Sequence, residues 1–196
     1  MPTSPIHRIL LIDDNAAIHG DFRKVLGSAE DSGRAALAVL EADIFGAGPS
    51  TPARPSFEIH SAYQGQEGVD MVRAALARGQ PYAMTFVDMR MPPGWDGLKT
   101  IGELWSADPD IQVVICSAHA DYDWSDVVQR LNYSDKLLVL RKPAEPIEIL
   151  QCATALTRKW QNEHLVRRQM ENLEQVIKLR TRGLEAANRQ DRKSVV

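Results

Sequence analysis

Apolar residues along the chain gather into five short runs, each closed by a polar residue, with helical spacing in between. Arg8-Ile9-Leu10-Leu11-Ile12 ends in Asp13-Asp14, and Ala83-Met84-Thr85-Phe86-Val87 ends in Asp88. Ile111-Gln112-Val113-Val114-Ile115-Cys116 ends in Ser117-Ala118, and Leu137-Leu138-Val139-Leu140 ends in Arg141-Lys142-Pro143. Short apolar runs bounded by turn residues predict buried strands. Phe57-Glu58-Ile59-His60-Ser61-Ala62 instead alternates apolar and polar, which makes it the expected edge of a sheet.

Between the runs the apolar period changes to three and four. Asn15 offers a helix cap, and Ile18, Phe22, Val25 and Leu26 then share one face. Residues 66–78 place Val69, Val72, Ala75 and Leu76 inward and stop near Gly79. Residues 97–106 carry Leu98, Ile101, Leu104 and Trp105, and a short helix is expected over 124–131. Helix resumes near Glu145 and meets no breaker for some forty residues. Strands alternating with helices predict an α/β domain, a parallel sheet wrapped on both faces. The strand order does not follow from the pattern itself.

Two stretches stand outside this alternation. Residues 28–56 hold an extra helical pattern, with Leu37, Leu40, Ile44 and Phe45, and a return rich in Pro and Gly. Joining the first helix to the second strand, this insertion belongs on the rim opposite Asp88. A five-residue strand is about 17 Å long, so the insertion is no lid over Asp88. Packing on the domain flank and contributing a partner surface both remain open.

Residues 159–196 form the second stretch. Val166, Met170, Leu173, Ile177, Leu184 and Ala187 recur every three or four residues, with Arg180 interrupting and Leu165, Val176 and Leu179 widening the stripe. About five turns of such a stripe, beginning after the domain is complete, predict a parallel dimeric coiled coil. Gly183 and Arg180 weaken it midway.

Composition narrows the class. At 44% hydrophobic and 25% charged residues, the 196-residue chain reads as a globular protein with one ordinary domain and an extension. No apolar run approaches the ~20 residues of a membrane span, and residues 1–5 lack the features of a signal peptide. Cys116 and Cys152 read as small hydrophobes, which suits a reducing, cytoplasmic setting. From Leu156 onward ten Lys and Arg face five Asp and Glu, so the tail carries +5 of the net −3 and the remainder −8. Those basic residues are interleaved with apolar ones at helical spacing, which argues against nucleic acid as the partner.

Parallel strands bring their carboxyl ends to one rim, where α/β sheets bind ligands. That rim collects Asp13, Asp14, Asp88, Ser117 and Lys142. Three carboxylates so close repel unless a cation neutralises them, and oxygen donors of this kind suit Mg²⁺. Lysine and a hydroxyl add a point charge and a donor for a phosphoryl oxygen. Together they describe phosphoryl transfer onto or off an aspartate.

At this point residues 6–158 resemble the receiver domain of two-component response regulators. Asp13-Asp14 matches the acidic pair, and Asp88-Met89-Arg90-Met91-Pro92 with Asp96-Gly97 matches the phosphoacceptor strand and its turn. Ser117-Ala118 matches the switch hydroxyl and its small neighbour, and Lys142-Pro143 the lysine before a usually cis proline. The resemblance implies a flavodoxin-like sheet in order 2-1-3-4-5, and Asp88 as acceptor of a phosphoryl group from a histidine kinase or phosphotransfer protein. It implies Mg²⁺ held by Asp14, Asp88 and the backbone carbonyl of Arg90, with Asp13 acting through water. Lys142 would pair with the phosphoryl group and Ser117 would swing toward it. It also places Arg90 and His119 at the mouth of the site, where they would set the lifetime of the phosphoryl group.

One departure stands out. The position three before the lysine is usually aromatic in receivers and is Val139 here. Residues 180–188 resemble linkers that precede bacterial output domains. The sequence stops where such a domain would begin, so a piece of a longer protein is expected, with Ser194-Val195-Val196 vector-derived. The leading expectation is a phosphoacceptor signalling domain rather than a turnover enzyme. A scaffold that needs no phosphorylation and a small phosphohydrolase are the rivals, and the latter lacks a second catalytic acid in the Asp88 turn.

Overall fold

The computed structural model describes residues 7–27, 56–118, 129, 131 and 135–194, with side chains to residue 182. The insertion over 28–56 (Ser56 excepted), His119 and nearly all of the expected helix over 124–131 lie outside the described residues. The chain divides into two compact units, residues 1–160 and 161–196.

In the first unit, β1 (His7–Ile12), β2 (Phe57–Ala62), β3 (Met84–Asp88), β4 (Gln112–Ser117) and β5 (Leu137–Arg141) form one sheet in the order β2-β1-β3-β4-β5. All four pairings are parallel. Among the described residues the helices are α1 (Ala16–Leu26), α2 (Gly65–Ala77), α3 (Gly97–Ala107) and the start of α4 (Pro146–Ser194). The sheet order is the one the receiver resemblance implies, and polar β2 is an edge.

Successive strand residues point to opposite faces, and both faces are covered, so the central strands are apolar along most of their length. Leu10 and Ile12 enter a core shared with Val69, Val72, Ile101 and Leu104 of α2 and α3. Ile9 and Leu11 enter a second core with Phe22 and Leu26 of α1 and Ile149, Ala153 and Leu156 of α4. Leu76 was expected inward but is exposed, because it lies at the margin of the buried α2 face. Cys116 is buried and Cys152 half-buried, both free, and burial pushes both thiols above their ordinary pKa.

β5 is the other edge, and Leu138 and Val139 there are each 40% exposed. Among the described residues no helix is long and apolar enough to cross a membrane.

In the second unit, residues 161–182 of α4 carry Leu165, Val166, Met170, Leu173, Val176, Ile177 and Leu179, each more than half exposed. Side chains of this size and spacing, left in water, form an unburied apolar stripe. The side chains of Leu184 and Ala187, which would extend it, lie outside the described residues.

Candidate functional site

β1 and β3 are neighbours in register, Ile12 opposite Val87, so their next residues emerge side by side on the carboxyl rim. Asp13 is 2% exposed and the Asp88 side chain 12% exposed. Two carboxylates this dry need a cation. Lys142, arriving from the end of β5, supplies it. Its ammonium donates to Asp13 Oδ2 at 2.6 Å and to Asp88 Oδ1 at 2.5 Å. Burial pushes the Lys142 pKa down, but the hydrogen bonds and charges of the two aspartates outweigh burial and hold it above the ordinary lysine value.

The backbone completes the two carboxylates. Asn15 N–H donates to Asp13 Oδ1 at 2.9 Å, and Arg90 N–H donates to Asp88 Oδ2 at 2.8 Å. Asn15 also caps α1, its side chain accepting from Ala17 N–H at 3.0 Å. The one residue therefore both starts the helix and orients an acid. Asp96 caps α3 in the same manner, accepting from Lys99 N–H at 2.8 Å. Gly97 follows because nothing larger fits: a Cβ there would stand 2.7 Å from the Asp88 carbonyl oxygen and 2.8 Å from Met89 Cα. The Asp96-Gly97 pair thus seats α3 directly against the end of β3.

The remaining expected residues fall close by. Ser117 is buried at the end of β4, and its backbone carbonyl accepts from Lys142 N–H at 2.8 Å, which ties the lysine to the hydroxyl-bearing strand. The Ser117 hydroxyl donates to the Ala118 carbonyl at 3.1 Å rather than to Asp88. Asp14 is exposed on the same rim, with no hydrogen bond among the described residues. The peptide bonds before Pro93 and Pro143 are both cis. Asp13, Asp88 and Lys142 are in direct contact. Arg90 and Ser117 join them through backbone bonds.

Among the described residues no group of three or more His, Cys, Asp or Glu side chains is spaced to hold a metal ion alone. The rim nevertheless suits Mg²⁺ by donor chemistry. Magnesium is bound by one or two carboxylates and otherwise by water and substrate phosphate, and Asp14 and Asp88, both at strand ends on this rim, offer oxygen donors only.

Two features were not apparent in the sequence. His19 is buried beneath the β1–α1 turn, its Nε2 donating to the Asp13 carbonyl at 2.7 Å, and its ring lies 4.6 Å from that of Tyr63. A signal was available: residues 19, 22 and 26 share one helical face, so a histidine there occupies a core position. Lys99 lies over the Trp95 ring, 4.6 Å from its centroid, at the outer wall of the Asp88 turn.

No family model matches the chain, and no curated protein matches it by sequence. Solved structures match by fold. A CheY-like response regulator receiver domain protein from Methanospirillum hungatei JF-1 superposes with a TM-score of 0.56 at 16% identity, over 81% of this chain and 99% of its own. A response regulator receiver protein from Sinorhizobium medicae WSM419 gives 0.54 at 19% identity, over 79% and 97%. The signal receiver domain of an HD domain-containing protein from Pseudomonas fluorescens Pf-5 gives 0.55 at 13% identity, over 84% and 96%. The fold is therefore that of the CheY-like response regulator receivers.

Proposed function

We propose that this protein is a response-regulator receiver, within a cytoplasmic two-component system, that accepts a phosphoryl group on Asp88 from a phosphohistidine donor. The observation that carries the reading is the Lys142 ammonium shared between Asp13 and Asp88 at 2.6 and 2.5 Å, on the sheet rim of a receiver fold.

In the transfer, an Asp88 carboxylate oxygen bonds to phosphorus as the phosphorus–nitrogen bond to the donor's imidazole breaks. Asp14, Asp88 and the Arg90 carbonyl would hold Mg²⁺, which when bound neutralises charge on the phosphoryl oxygens. Asp13 is already engaged by Lys142 and Asn15, which leaves Asp14 as the more available ligand. Lys142 exchanges part of its bond to Asp88 for the phosphoryl group. Ser117 rotates from the Ala118 carbonyl to donate to it.

Phosphorylation adds about one negative charge and three acceptor oxygens. Driving a two-state domain from mostly off to mostly on takes about 5 kcal/mol, and charge-assisted hydrogen bonds of about 1.5–3 kcal/mol each reach that with roughly two to four partners. Lys142, Ser117 and nearby backbone amides are those partners. Arg90 and His119 would screen the product from water and set its lifetime; replacing both by Ala leaves the dephosphorylation rate unchanged if that role is wrong.

The exposed stripe on α4 supports a parallel homodimer that relays the change along the helix to an output domain. Residues 6–158 serve as the receiver and 159–196 as the signalling helix. Val139, exposed where receivers usually carry an aromatic, favours one second reading: a dimeric scaffold of receiver fold that needs no phosphorylation. Beryllofluoride with Mg²⁺ separates the two. Trp95 lies in the Asp88 turn, so a Mg²⁺-dependent change in tryptophan fluorescence supports the phosphoacceptor, and no change supports the scaffold.

A further inference from the structure

The polar groups of Asp13 are held from four directions. Its N–H donates to the Ala62 carbonyl at 3.2 Å, Oδ1 accepts from Asn15 N–H, and Oδ2 accepts from Lys142. The fourth group, the Asp13 carbonyl, takes its bond from the side chain of His19 at 2.7 Å. A carbonyl only accepts, so Nε2 is the protonated ring nitrogen. Nδ1 is then left buried without a partner among the described residues. Leucine or methionine would fill this 1%-exposed position without burying an unpaired ring nitrogen, but would leave the Asp13 carbonyl without its donor. A histidine here leaves one ring nitrogen unpaired and gives the backbone one hydrogen bond in return.

That bond acts on the residue that follows. The Asp13 carbonyl and the Asp14 amide lie in one rigid peptide plane. Holding the carbonyl therefore sets the direction in which Asp14 leaves the strand. Tyr63, from the loop between β2 and α2, tilts at 39° over the imidazole and keeps the ring in place. We propose that His19 is a positioning residue, which through the Asp13 carbonyl aims the Asp14 carboxylate at the cation site.

The inference rests on the receiver reading, and the full chain tests both. The probes are Mg²⁺ alone, titrated by tryptophan fluorescence, and acetyl phosphate, followed by intact mass. His19→Gln keeps an amide nitrogen at the reach of Nε2, whereas His19→Leu keeps the volume and loses the donor. H19L is expected to weaken Mg²⁺ binding on the order of tenfold, the usual scale for a group that orients a metal ligand. Its urea midpoint should stay close to that of the natural protein, because the lost bond to the Asp13 carbonyl is offset by removal of the unpaired ring nitrogen. H19Q should bind Mg²⁺ within about threefold of the natural protein, well short of that loss. Should H19L fail to fold, His19→Asn, one methylene too short to reach the carbonyl, takes its place with the same expectation for Mg²⁺. Natural affinity in H19L, or equal loss in H19L and H19Q, overturns the positioning role. A natural protein that neither binds Mg²⁺ nor accepts a phosphoryl group overturns the receiver reading, and this inference with it.

Discussion

Lys142 Nζ sits 2.5 Å from Asp88 Oδ1, although 54 residues separate the two in the chain. The same ammonium bonds Asp13 across 129 residues. One cation thus joins the ends of β1, β3 and β5 and bridges two nearly buried carboxyl groups.

Lys142→Met should therefore leave Asp13 and Asp88 facing each other uncompensated. With the lysine side chain 25% exposed, water relieves part of the penalty. A loss of about 1–3 kcal/mol at neutral pH is expected by urea unfolding. Added Mg²⁺ should recover part of it, which distinguishes charge repulsion from lost packing.

The pH dependence of that difference has a definite sign. The folded pKa of Lys142 is raised, so its contribution is complete below the unfolded lysine value of about 10.4 and is lost as pH rises through the folded value. The gap in stability between the natural protein and K142M should stay constant from neutral pH to about 10 and close only above that. Tyr82, whose pKa burial also raises, destabilises both proteins in the same alkaline range and cancels from the gap. A gap that closes between pH 6 and 9 contradicts the assignment.

Gly97→Ala tests how closely α3 is seated on the end of β3. The new Cβ meets backbone at 2.7 and 2.8 Å, and backbone cannot rotate aside. A loss of about 1–3 kcal/mol is expected, together with slower phosphorylation because the end of β3 must shift. Asp96→Ala removes only the helix cap and should cost about 1 kcal/mol with little effect on the phosphorylation rate.

The stripe on α4 gives a prediction independent of the site. Ile177→Glu places a charge within the exposed apolar row. Sedimentation should show the natural protein as a dimer and I177E as a monomer, with receiver phosphorylation retained. A natural protein that sediments as a monomer excludes the coiled-coil relay.

Much of this architecture was legible because burial imposes a simple pattern. Strands covered on both faces read as unbroken apolar runs, and each run here stops at the residue that reaches the rim. The polar alternation of β2 likewise marked an edge. His19 was not legible in the same way, because its role depends on a carbonyl six residues earlier that no side-chain pattern reports. Gly97 was visible as a motif, but its reason, backbone within 3 Å of an absent Cβ, required the seated helix. The Ser117 hydroxyl also required coordinates, since a strand-end serine can face either its own turn or its neighbour. The exposure of Val139 follows from β5 being the second edge, a position that an apolar sequence conceals.

The central claim is that Asp88 is the phosphoacceptor, and intact mass measurement after incubation with acetyl phosphate and Mg²⁺ tests it most directly. The natural protein should gain the mass of one phosphoryl group, mapped to Asp88 by peptide analysis. The gain should vanish in Asp88→Asn and when Mg²⁺ is chelated. An unmodified natural protein, or the same gain in D88N, would contradict the account.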